Sequence, residues 1–385
     1  MLTRAPPSPP RTPDAASDDV AATGGSWFRC ALGPVVVARV FVAMSGGVDS
    51  SVTAALLLEQ GHDVTGVTMQ LWPSTDEEGG CCSVSAVRDA HRVCDLLGIA
   101  HYTLNFREAF EREVVAPFAD EYAAGRTPNP CIVCNDRLKF SDLLAKVSAQ
   151  GADFLATGHY ARIVRDAAGT PWLARGVDPG KDQSYFLYRL TQAQLEHTLF
   201  PVGELVKPDV RAIAVRLGLH VARKPDSQEV CFASAGEHAL VVRERRPGAL
   251  VGGDIVALDA TVLGHHDGIA NYTVGQRKGL GIAASEPLYV VKVDAARNEV
   301  AVGPRAALRV TRVEARDVVW RGSEAEDVTA MVRYRMEPRR AEARFDGTTL
   351  TVTFAEPIEG VSPGQAVVCY GGDIVIGGGA IECAS

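Results

Sequence analysis

The rhythm of apolar and polar positions changes along this chain. Between residues 35 and 157, short β-branched runs alternate with stretches in which apolar side chains return every three or four positions. The pattern predicts strand 35–44, helix 50–60, strand 63–71, helix 84–97, strand 101–105 and helix 107–124, then a helix near 136–149 and a strand at 154–157. Strands separated by helices predict an α/β fold with a parallel sheet that binds its ligand at the carboxyl ends of the strands. Helical periodicity continues through Gln183–Leu190 and Pro208–Leu217. From about Gly252 it gives way to short β-like runs such as 254–256 and 288–293. Beyond about Val310 the runs 328–336, 340–345, 350–354, 366–370 and 373–376 close with turn residues, which predicts a small antiparallel barrel. No internal repeat is evident. Residues 1–34 are rich in Pro, Ala, Ser and Asp without periodicity, and read as a disordered extension or an over-extended start. Asp14, Asp18 and Asp19 count against a mitochondrial transit peptide.

Composition narrows the picture. The 385 residues exceed what one core usually supports, so two or three domains are expected. No apolar run is long enough for a membrane span. A net charge of −8 argues against indiscriminate nucleic-acid binding, while leaving room for a local basic face. Nine unevenly spaced cysteines without a signal peptide read as cytosolic thiols, and hence as a cytoplasmic protein. Of the two local pairs, Cys81-Cys82 and Cys131-x-x-Cys134, the second is the better candidate for chemistry.

The densest chemical signal is the string Ala43, Met44, Ser45, Gly46, Gly47, Val48, Asp49, Ser50, Ser51, set between a predicted strand and a predicted helix. Backbone N–H groups and the helix dipole converge on an anion at such a turn, so a phosphate belongs there. Glycine allows close approach of the backbone, and the serines add hydroxyl donors. A carboxylate at Asp49 would repel phosphate, and a bound Mg²⁺ would resolve the conflict. No lysine is present, so this is not a Walker loop. The string resembles the SGGxDS loop of the PP-loop ATP pyrophosphatases, which implies ATP as cosubstrate, cleaved to AMP and pyrophosphate.

Five further strings stand in order along the chain: 127–135 (TPNPCIVCN), 156–162 (ATGHYAR), 181–187 (KDQSYFL), 226–232 (DSQEVCF) and 272–281 (YTVGQRKGLG). Together they resemble one PP-loop family, the tRNA-specific 2-thiouridylases, from about Arg39 onward. The resemblance implies three domains: a catalytic PP-loop domain over 35–225, a central domain over 226–298 and a tRNA-contacting β-barrel over 299–385. It also implies replacement of the C2 oxygen of the wobble uridine by sulfur in tRNAs for Lys, Glu and Gln. A persulfide-donating relay protein or a cysteine desulfurase would be the partner.

That chemistry can be rebuilt from the residues. A uracil carbonyl oxygen cannot leave as oxide, so ATP must first adenylate it, and sulfur must then arrive as a persulfide or bound sulfide. Two cysteines distant in sequence are needed at one site. By resemblance, Cys134 is the nucleophile and Cys231 carries the persulfide. Cys134 is expected just before a helix starting near Asn135 or Asp136, where its thiol pKa would fall. One common form of the family has Asp where this chain has Cys131. The exchange creates a CxxC, and with Cys231 a set of three thiolates. Such a set can hold a [4Fe–4S] cluster or zinc, while vicinal thiols also serve as a resolving pair.

Other positions follow from the family strings. Met69 and Gly158 would line the nucleotide pocket. Asn129, Pro130, Cys131, His159, Lys181, Asp182 and Gln183 would face the tRNA, as would Arg333, Tyr334 and Gln365. A positive face is expected from Arg305, Arg309, Arg312 and Arg316 and from the barrel arginines Arg335, Arg339, Arg340 and Arg344. Two other readings compete. A PP-loop amidoligase would need a glutaminase domain or an amino-acid site and no paired cysteines, whereas an RNA-binding protein with a structural CxxC would show no ATP-dependent thiolation.

Overall fold

A computed structural model describes residues 37–72, 84–226, 230–232 and 238–385. The extension expected over 1–34, the pair Cys81-Cys82 and residues 227–229 lie outside the described residues.

Four strands, β1 (Arg39–Ala43), β2 (Asp63–Gln70), β3 (Ala100–Asn105) and β4 (Phe154–Thr157), form a parallel sheet with the short strand Thr198–Leu199. The spatial order is β3-β2-β1-β4 and then Thr198–Leu199. Strand order therefore reverses between β1 and β4, which opens a crevice at their carboxyl ends. The helix α1 (Val48–Glu59) leaves β1 through the glycine turn. It is buried on nearly every face, because it packs on β1 and β2 and also against the helix Lys207–Arg216.

The helix expected near 136–149 begins earlier. Asn129 caps it by accepting the Cys131 amide at 3.2 Å, and Pro130 occupies the first helical position. An Asn-Pro pair is an N-terminal helix signal, with the side chain satisfying an orphan donor and the proline needing none. The helix then runs over 130–148 and is wound as a π-helix over Cys134–Leu143.

The middle sheet is ordered Tyr289–Asp294, Glu299–Gly303, Gly253–Ala257, Val262–His266 around Ile255, Val290, Val300 and Val302. It thus continues through Glu299–Gly303, beyond residue 298. Six antiparallel strands then form a barrel, closed by pairing of Arg309–Trp320 with Ile374–Ala384. The first of these strands shows no alternation in its arginine spacing and was not expected as a strand.

A hairpin, Ala161–Arg165 with Pro171–Arg175, leaves the parallel-sheet domain and adds to the barrel sheet by pairing Ala174 with Ile374. The Arg162 guanidinium reaches Asp373 at 3.0 Å. The Tyr185 hydroxyl donates to the Ala366 carbonyl at 2.9 Å. Barrel and nucleotide domain are therefore joined by sheet pairing and buried hydrogen bonds. Among the described residues, no helix is long and apolar enough to cross a membrane.

Candidate active site

A cavity of about 900 Å³ opens at the carboxyl ends of β1 and β4. One wall is the glycine turn. The Met44 amide donates to the Val67 carbonyl at 2.8 Å, and the Thr68 hydroxyl donates to the Met44 carbonyl at 2.9 Å, so the end of β1 is pinned before the turn begins. Gly46 has φ +67°, and a Cβ there would lie 2.2 Å from the Ala86 carbonyl oxygen. A Cβ on Gly158 would lie 2.6 Å from the Ser50 nitrogen. These two glycines are required by backbone contact, whereas a Cβ on Gly47 would meet only the Ser45 hydroxyl, at 3.3 Å. Ser50 Oγ accepts from the Ser45 amide at 3.2 Å and so braces the loop. No side chain caps α1. Val48, Asp49 and Ser50 at its start line the cavity, and a helix start with free amides is a place that binds phosphate.

The electrostatics differ from the expectation at Asp49. Lys207 Nζ donates to both Asp49 carboxylate oxygens, at 2.7 and 2.8 Å, and the Tyr160 hydroxyl donates to Oδ1 at 2.8 Å. The charge conflict is met here by an ammonium from the chain, that of Lys207. Lys207 also reaches Asp226 at 2.9 Å, and Asp226 pairs with Lys181 at 2.6 Å and Arg211 at 2.9 Å. Burial alone would raise the Asp226 pKa, but hydrogen bonds from Lys181 and Lys207 outweigh it and hold the carboxyl below its ordinary range. Lys224 donates to the Gly46 carbonyl at 3.0 Å and to Asp89 at 2.6 Å. Asp89 is likewise held low: burial pushes it up, and Lys224 and His220 pull it further down. Tyr160 is pushed far up, by burial and then by Asp49, and stays protonated as a donor.

The opposite wall carries sulfur. Cys131 and Cys231 line the cavity, while Cys134, one turn further along the same helix, is buried in the core at 8% exposure. The helix start expected beside Cys134 lies at Cys131 instead, so the N-terminal dipole acts on Cys131. Cys231 is placed by its neighbour. Phe232 is buried against Trp72, Phe110 and Phe118, with ring centroids 6.0, 5.5 and 5.1 Å away. Among the described residues, no three Cys, His, Asp or Glu side chains are grouped so as to hold a metal ion.

Met69, at the end of β2, lines the cavity, as do Asn129, Pro130, Lys181, Gln183 and Tyr334. His159 also lines it, held by Thr157 at 2.6 Å and flanked by Phe140 and Phe200. Burial, with Lys139 nearby, lowers its pKa well below 6.5, so its ring is neutral at physiological pH. Asp182 points elsewhere: it accepts from the Gly176 and Ser184 amides, both at 3.1 Å. Gln365 donates to the Thr127 carbonyl at 2.8 Å and so fixes the loop before Cys131. Arg305 and Arg309 pair with Glu359, Arg312 with Glu314, and Arg316 with Glu121 and Glu382. By contrast, no carboxylate among the described residues lies within ion-pair distance of the exposed Arg333, Arg335 or Arg340. Arg335 stacks over Tyr334 at the cavity rim. Lys207, Lys224, Tyr160 and Asp226 were not expected as site residues. Their only sequence signal is membership of, or nearness to, the family strings.

Residues 38–235 match the family model described as tRNA methyl transferase HUP domain, 242–304 that of the tRNA methyl transferase PRC-barrel domain, and 310–381 that of the aminomethyltransferase beta-barrel domain. The chain is 50% identical over 357 residues to the tRNA-specific 2-thiouridylase MnmA of Geobacter metallireducens, covering 90% of this chain and 97% of that protein. It is 51% identical over 357 residues to the protein of the same name from Rhodospirillum centenum, covering 89% and 91%. With that from Heliobacterium modesticaldum, identity is 52% over 353 residues, covering 89% and 92%.

Proposed function

The chain belongs to the tRNA-specific 2-thiouridylases, an ATP-using family of tRNA sulfurtransferases, and from that premise we propose the course of its reaction in this cavity. ATP lies with adenine toward Met69 and its phosphates on the glycine turn. The C2 oxygen of the wobble uridine attacks the α-phosphorus, the bond to the bridging oxygen breaks, pyrophosphate leaves with the electron pair, and the N3 proton passes to water. A persulfide on Cys231 then attacks C2 and expels AMP. Cys134, buried one turn behind Cys131 on the same helix, must then be reached by the persulfide and, as its thiolate, cleaves the sulfur–sulfur bond, leaving sulfur on the base and a disulfide between the two cysteines, which an external thiol reduces.

One observation carries this reading: the phosphate-binding turn and Cys231 wall the same cavity. An activated carbonyl and a sulfur carrier can therefore meet without either leaving its site. The persulfide would come from a relay protein or a cysteine desulfurase in the cytoplasm, and the tRNAs would be those for Lys, Glu and Gln. Asn129, Pro130, Cys131, His159, Lys181 and Gln183 would surround the flipped base. Arg333 and Tyr334 would meet the RNA at the barrel rim, Arg333 as an exposed guanidinium and Tyr334 as a stacking ring. Gln365 would act through the loop that it fixes.

The test is a single turnover with ATP, tRNA and persulfide-loaded protein. Pyrophosphate, AMP and 2-thiouridine should form in equal amounts. Cys231→Ser should still release pyrophosphate and yield no thiolated base. Full thiolation by Cys231→Ser from a persulfide donor would overturn the relay.

A further inference from the structure

Lys207 begins the helix Lys207–Arg216, and its side chain is 9% exposed. Two carboxylates from separate segments hold its ammonium: Asp49 in the first turn of α1, and Asp226 in the segment that leads toward Cys231. The Tyr160 ring lies 5.5 Å from Nζ. Three cations, Lys181, Lys207 and Arg211, face the two carboxylates Asp49 and Asp226, and a third carboxylate, Asp178, accepts the Lys207 backbone amide at 2.9 Å. Both Lys181 and Lys207 line the cavity beside the uncapped start of α1.

A side chain this enclosed has lost most of its rotamer freedom before any ligand arrives. Its ammonium stands beside the loop where a polyphosphate would sit, and it pairs with Asp49 and Asp226, two carboxylates of the cavity wall that would repel that ligand. Preorganised charge of this kind stabilises charge that develops in a transition state, because no reorganisation is needed during the reaction.

Building on the adenylation reading above, we propose that Lys207 is a catalytic residue that binds the β- and γ-phosphates of ATP and stabilises the departing pyrophosphate. Asp49 and Tyr160 hold it in place until the nucleotide arrives. When the bond between the α-phosphorus and the bridging oxygen breaks, the electron pair goes to pyrophosphate, and the ammonium pairs with the new charge.

The probe is inorganic pyrophosphate, used as a product inhibitor of tRNA-dependent AMP formation by the full-length protein, with AMP as the control inhibitor. Lys207→Met should weaken pyrophosphate inhibition about tenfold or more and slow pyrophosphate release about a hundredfold, the scale of one lost oxyanion donor. Inhibition by AMP should stay within about twofold, since one lost cation acts on the phosphates it touches. Lys207→Arg should restore part of the pyrophosphate inhibition. Unchanged pyrophosphate inhibition in folded Lys207→Met would overturn the proposal. Should Lys207→Met fail to fold, Asp226→Asn decides: with a competitor for the ammonium removed, pyrophosphate inhibition should hold or strengthen. Parallel weakening of pyrophosphate and AMP inhibition would instead mark a purely structural ion pair. Absence of any ATP-dependent pyrophosphate from the unaltered protein would sink the adenylation reading itself.

Discussion

On one side of the cavity, Ser45–Ser50 continue directly from a central strand, and their backbone is shaped by the neighbouring strand, α1 and a glycine-enforced approach, with Lys224 added from afar at the Gly46 carbonyl. On the other side, Cys131 and Cys231 come from segments far apart in the chain. Each is set by residues that take no part in chemistry, Gln365 of the barrel for the first and Phe232 for the second. The nucleotide wall is a local structure with long-range electrostatics added. The sulfur wall is tertiary from the start. Damage to its supports should therefore separate the two half-reactions.

The largest effect is expected on the nucleotide wall. Gly46→Ala and Gly158→Ala each force the loop away from a backbone contact, and displacement of about 1 Å can cost on the order of a hundredfold in rate. ATP-dependent pyrophosphate release should fall by that much, and Gly47→Ala should lose far less. Equal losses at all three positions would mean that the ligand, and not the backbone, demands the glycines.

Phe232→Ala probes the other wall. Removing a buried phenylalanine costs about 3–5 kcal/mol where the site cannot collapse. Thiolation should drop at least about tenfold while first-turnover pyrophosphate release is retained, as measured in one quenched-flow experiment. Loss of both in proportion would join the walls into one unit.

A gentler version is Gln365→Ala, which removes a hydrogen bond worth about 1 kcal/mol. Thiolation should fall about threefold to tenfold and pyrophosphate release should stay unchanged. An effect on tRNA KM alone would return Gln365 to direct RNA contact.

The smallest effect concerns His159, which both walls share. Its folded pKa lies well below 6.5, so below about pH 6.5 the unfolded chain takes up a proton that the folded site refuses. Its contribution to stability is complete at neutral pH and declines as pH falls through that value, by at most about 1.4 kcal/mol per unit. His62, His101 and His266 are lowered in the same sense by burial and share this limb. His159→Asn should flatten the fall in urea midpoint between pH 6.5 and 5.5. An unaltered slope would assign the acid limb to the other three.

The same contrast explains what the sequence made readable. The glycine turn, α1 and strands β1–β4 follow from periodicity and local turn chemistry, which act over a few residues. Lys207 was invisible because its meaning arises only when its helix docks against α1 and brings its ammonium to Asp49. The reading of Asp49 left out Lys207 for the same reason: it counted charges near in sequence and not those near in space. Pro128-Asn129-Pro130 reads as a loop, which puts the helix start after Cys134, yet Asn129-Pro130 is itself the cap. The strand Arg309–Trp320 escaped notice because its arginines obscure the alternation, and the hairpin Ala161–Arg165 with Pro171–Arg175 escaped because it was read only as part of a motif.

That hairpin also bears on how the protein can be dissected. Family models divide the chain at 235, 242, 304 and 310. A fragment cut at the first of these would leave the edge of Pro171–Arg175 without its barrel neighbour, and the buried Tyr185 hydroxyl without its acceptor. Bare strand edges of this kind recruit other chains and lead to aggregation. The barrel is therefore less a detachable RNA-binding module than the missing flank of the enzyme's own sheet, and soluble expression of the nucleotide domain alone would require redesign of that edge.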